Sequence, residues 1–66
     1  MVSARDRILE ASLELFSARG YSAVTTKAIA EAAAVNEVTV FRLFGSKERL
    51  FREVFAKPAE LAPDAD

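Results

Sequence analysis

Three residues, Ala34-Val35-Asn36, separate two short apolar-patterned stretches, and that spacing constrains this chain more than any other feature. Thr25 and Asn36 are residue types that cap helices, here over about Thr26 to Ala33 and about Glu37 to Phe44. A turn this short forces its two helices to cross steeply instead of lying antiparallel. Ile29, Ala30 and Ala33 supply the buried face of the first; Val40 and Phe44, four apart, supply that of the second. The small side chain of Ala30 permits a close crossing, and Val35 plugs the angle.

The flanking sequence extends the same grammar. Ser3 predicts a cap for a helix over about Ala4 to Arg19. Its apolar stripe is Ile8, Ser12, Leu15 and Phe16, with Leu9 and Leu13 beside them. Gly20 ends it, because glycine adopts the left-handed backbone that other residues resist. Tyr21 to Val24 is a connector with two apolar anchors. Gly45 stops the helix that begins at Glu37, and Ser46 predicts the cap of a fourth helix over about Lys47 to Ala56, with Leu50, Phe51, Val54 and Phe55 apolar. Pro58 and Pro63 point to the end of regular structure, and 58–66, small, acidic and Pro-containing, are expected to form a frayed, disordered tail. No strand pattern competes. The expected fold is all-α: three helices around a small core, plus the start of a fourth.

Composition narrows the chemistry. With 66 residues the chain forms one small domain, and 52% hydrophobic content suits a folded one. It has neither Cys nor His, which removes disulfides, the usual zinc ligands and the commonest general base. No metal, cofactor or catalytic residue is expected. Glu10 and Glu14 resemble a carboxylate pair, but they lie on a charged helix face with Arg7 nearby. No apolar run is long enough for a membrane span, and the start MVSARDRILEA lacks the layout of a signal peptide, so the expected location is cytoplasmic. Net charge is −1, yet it is unevenly spread. Over 25–52, Lys27, Arg42, Lys47, Arg49 and Arg52 outnumber Glu31, Glu37 and Glu48, leaving +2. Over 53–66, Lys57 faces Glu53, Glu60, Asp64 and Asp66, leaving −3.

A steeply crossed helix pair whose second member projects outward fits the DNA major groove, with the N-terminal residues of that member facing base edges. The residues then match a family. Ile8-Leu9-Glu-Ala-Ser, Leu15-Phe16, Gly20-Tyr21, Thr25-Thr26, Ile29-Ala30, Val35, Thr39-Val40-Phe41, Phe44 and Ser46-Lys47-Glu48-Arg49-Leu50 resemble, in order and spacing, the N-terminal domain of TetR-type regulators. The resemblance covers about residues 5–55 and implies a homeodomain-like helix-turn-helix bundle: a DNA-binding domain over 4–57 with its motif at 25–44. It implies a transcription regulator, usually a repressor, that binds a palindromic double-stranded operator as a dimer. The larger C-terminal domain that binds ligand and dimerises in the family is absent from these residues. A monomer is therefore expected of the isolated chain, and a homodimer only with that domain.

The resemblance also implies roles. Thr26 and Lys27 stand where family members contact phosphates, and Lys47 matches a phosphate-facing lysine. Glu37, Val38 and Thr39 stand where bases are read. Arg42 points to the groove or its edge. Phe41 occupies a position that is usually Tyr, which keeps the packing and loses a hydroxyl. Ala34 replaces a turn glycine, and Leu43 replaces a polar residue, often His. Glu37 repels phosphates but can accept a bond from the cytosine amino group. Two rival readings remain: a helical protein-interaction module that does not bind DNA, favoured by the acidic balance, and a small enzyme, opposed by the missing His and Cys.

Overall fold

The structure, a computed structural model, describes residues 2–64, with side chains placed for residues 2–55. Four helices follow in order: α1 (Ala4–Arg19), α2 (Thr26–Ala33), α3 (Glu37–Phe44) and α4 (Lys47–Asp64). There is no strand among the described residues. α1 packs against both α2 and α4, and α2 also packs against α3.

Local chemistry sets the helix starts. Ser3 Oγ accepts from the Asp6 amide at 3.1 Å, Thr25 Oγ1 from the Ala28 amide at 3.0 Å, and Ser46 Oγ from the Arg49 amide at 3.1 Å. Each bond satisfies one donor that a helix leaves unpaired. Asn36 departs from expectation: it precedes α3 with an extended backbone, yet its side chain makes no capping bond. Its carbonyl accepts from the Thr39 amide at 2.9 Å, so the turn closes through backbone alone.

The turn between α2 and α3 begins with a left-handed residue, Ala34 at φ 62° and ψ 44°. The Val35 amide reaches back to the Ala30 carbonyl at 2.9 Å, and the Ala34 amide to Glu31 at 3.2 Å. That paired arrangement is the usual way a helix closes on glycine; alanine there costs about 1 kcal/mol. Arg7 Nε donates to the Ala33 carbonyl at 3.0 Å, placing a cation at the negative end of α2.

Ile8, Ile29 and Leu50 are fully buried, with Val24, Val40, Phe16 and Phe44 around them. Ala30 and Ala33 are buried too and let α2 approach its neighbours closely. Ser12 is buried because its Oγ donates to the Ile8 carbonyl at 2.6 Å. Leu13 is 46% exposed, which corrects its expected place in the stripe. At about 100° per residue it lies roughly 140° round α1 from Ile8, off the face that packs. Ala11 takes part in the core instead.

α4 starts at Lys47 as expected but runs to Asp64, past the end at Ala56 that the prolines suggest. Proline removes one helical hydrogen bond and crowds the preceding turn; it does not forbid further helical backbone. The disordered tail expected over 58–66 falls where side chains, and at 65–66 the backbone as well, lie outside the described residues.

Candidate nucleic-acid interface

α3 divides cleanly. Val40 and Phe44 face inward, 1% and 6% exposed, and anchor it from behind. Val38, Phe41 and Arg42 share the opposite face at helical spacing; Val38 is 69% exposed and Phe41 44%. Glu37 opens the helix in solvent, and Thr39 is half-buried beside the core. The free face therefore offers a carboxylate, a small branched apolar group, an aromatic edge and a guanidinium within two turns.

α2 contributes at its own start. Lys27 is exposed. Thr26 is half-buried, and its Oγ1 donates to Glu37 Oε2 at 2.7 Å, so the structure brings these two predicted residues together across the turn. Lys47 is differently placed. Its ammonium donates to the carbonyls of Tyr21 at 3.0 Å and Val24 at 2.8 Å, and sits 4.2 Å from the Tyr21 ring centroid. A lysine has three donors, so one remains for an outside acceptor.

Three residues emerge that the sequence reading did not assign to positioning. Arg5 pairs with Glu53 and lies 4.8 Å over the Phe44 ring, joining the start of α1 to α4 and to the back of α3. Arg7 closes the end of α2. Asn36 keeps its amide uncommitted to a cap, next to the exposed start of α3. The pairings of Arg5 and Arg7 are remote in sequence, so no local pattern marks them.

A groove of about 550 Å³ is lined by α1 and α2, including Arg7, Glu10, Leu13, Glu14 and Ala33. Glu10 and Glu14 are exposed. Among the described residues no group of three His, Cys, Asp or Glu could hold a metal ion. No helix among them is long and apolar enough to cross a membrane.

Two short helices joined by a three-residue turn, the second with an anchored back and a mixed polar face, define a helix-turn-helix domain of the kind found in DNA-binding transcription regulators. Residues 8–54 match the sequence model described as bacterial regulatory proteins, tetR family, and the chain belongs to that family. It is 45% identical over 51 residues to the uncharacterized HTH-type transcriptional regulator YvkB of Bacillus subtilis, covering 77% of this chain and 27% of that protein. It is 48% identical over 46 residues to the HTH-type transcriptional regulator TcmR of Streptomyces glaucescens, 70% of this chain and 20% of that one. It is 45% identical over 56 residues to the HTH-type transcriptional repressor KstR of Rhodococcus jostii, 85% and 26% respectively. The chain thus spans about a quarter of the length of the curated relatives it matches. No solved structure matches it. The family is one of non-enzymatic DNA-binding regulators.

Proposed function

We infer that this chain binds duplex DNA with α3 seated in the major groove, as the DNA-binding part of a transcriptional repressor. The observation that carries this reading is the division of α3 into a buried back, Val40 and Phe44, and an exposed face, Val38, Phe41 and Arg42. A helix with one face spent on the core and the other in solvent can enter a groove without unfolding anything. The name of the relative KstR supports the repressor role.

In this reading Glu37, Val38 and Thr39 meet base edges, and Arg42 reaches a base or the groove edge. Phe41 lies against the backbone. Thr26, through its backbone amide, and Lys27 meet a phosphate at the start of α2, where unpaired amides favour an anion. Lys47 offers its remaining donor to a second phosphate. The DNA-binding unit is residues 4–57. Two copies read a palindromic operator in the cytoplasm, joined by a dimerisation and ligand-binding region in the part of the relatives that this chain does not span. Alone, the chain is a monomer.

Fluorescence anisotropy with a labelled random-sequence duplex, titrated at stepped salt, tests the reading. Binding that weakens linearly in log–log form as salt rises is the expected result. Absence of binding to any duplex at low salt overturns it.

A further inference from the structure

The helix assigned to the groove begins with an acid, where repulsion from phosphate argues against one. The structure gives that acid a fixed setting. Glu37 Oε2 accepts from Thr26 Oγ1 at 2.7 Å, and Thr26 is β-branched, so its own rotamer is stiff. Glu37 is exposed, and among the described residues no cation lies within ion-pair distance of it. Its other oxygen is free to accept, and an ionised carboxylate can only accept.

The major groove offers few matching partners. Guanine presents two acceptors there, and thymine an acceptor and a methyl group. Adenine presents an amino donor beside the N7 acceptor, whereas cytosine presents its amino donor alone. A fixed carboxylate is therefore attracted by cytosine, opposed in part by adenine, and repelled by guanine and thymine.

We propose that Glu37, positioned by Thr26, selects cytosine at one base pair of each half-site. Thr26 is a positioning residue: its hydroxyl proton is given to Glu37 and not to a phosphate. The inference rests on α3 as the groove helix, and it deepens that reading by naming a base and the pair of side chains that choose it.

The test is selection from a random duplex pool with the wild-type chain, Glu37→Gln, Thr26→Val and Thr26→Ser. Direct titration then follows, with each of the four base pairs at the position that responds. Wild type prefers cytosine there by roughly five- to tenfold, the discrimination of a single good base contact. Glu37→Gln moves the preference at that position to adenine, which an amide side chain can bind through both N6 and N7. Thr26→Val lowers the cytosine preference several-fold without changing other positions, and Thr26→Ser restores it. The same base at every position in wild type and Glu37→Gln overturns the inference and leaves the DNA-binding reading standing. An intact cytosine preference in Thr26→Val overturns the role of Thr26. A wild-type chain that binds duplex DNA but enriches no sequence overturns the inference, and one that binds no duplex at low salt overturns both readings together.

Discussion

Lys47 Nζ stands 4.2 Å from the centroid of the Tyr21 ring and donates to the carbonyl of that same residue at 3.0 Å. With the further bond to Val24, the first side chain of α4 pins the connector that leads into α2. The resemblance assigns Lys47 to a phosphate; the geometry gives it a structural task as well.

Replacing Lys47 with Met keeps the stem and removes both bonds. Hydrogen bonds from a charged donor contribute about 1.5–3 kcal/mol, and partial exposure reduces that here. The expected loss is about 1–2 kcal/mol in urea unfolding. Arg is not expected to rescue it, because a planar fork does not match two convergent carbonyls as a compact ammonium does. A change within a few tenths of a kcal/mol would show that the clamp contributes nothing.

Lys27 offers the contrast. It is exposed and close to the start of α2, so Lys27→Ala leaves stability unchanged. It should flatten the log affinity against log salt slope by about one unit, uniformly across sequences. An unaltered slope removes Lys27 from the contacts.

Ala34 holds a left-handed backbone at φ 62°, the one positive φ outside glycine among the described residues. Ala34→Gly relieves that strain and also loosens the unfolded chain, which acts the other way. Relief is expected to win by a few tenths to about 1 kcal/mol. Chemical denaturation decides the sign, and a net loss would mean that unfolded-chain entropy dominates.

These positions also show how far the sequence carried. Ser3, Thr25 and Ser46 were legible as caps because their hydroxyls act on amides three residues away. Gly20 and Gly45 were legible because their backbones, at φ 87° and 95°, suit glycine. Val40 and Phe44 followed from spacing alone. Leu13 misled because apolar character does not report which face of α1 is covered. The bonds from Arg5 to Glu53, Arg7 to Ala33 and Thr26 to Glu37 link residues 48, 26 and 11 apart, and no local pattern encodes them. The turn of Lys47 toward Tyr21 was not legible, because it depends on how α4 meets the connector.

Two linked copies should behave differently from one. A monomer with a single reading helix binds one half-site weakly. Joining two copies by a flexible linker raises affinity for a full palindrome by roughly 10²–10⁴-fold through effective concentration, with no new DNA contact. Affinity for an isolated half-site stays as it was. Sedimentation of the free chain as a tight dimer, or nanomolar binding to one half-site at physiological salt, contradicts this.

If α3 reads base edges from the major groove, with Arg42 among the groups that reach them, binding depends on acceptors exposed in that groove. Titration of the selected duplex with 7-deazapurines in place of its purines tests it most directly, because the change deletes the N7 acceptor in the major groove and leaves the minor groove intact. The expected result is a loss of roughly tenfold at one or more purines in each half-site, and no loss when inosine removes the minor-groove amino group of guanine. Indifference to 7-deazapurines together with sensitivity to inosine would contradict it.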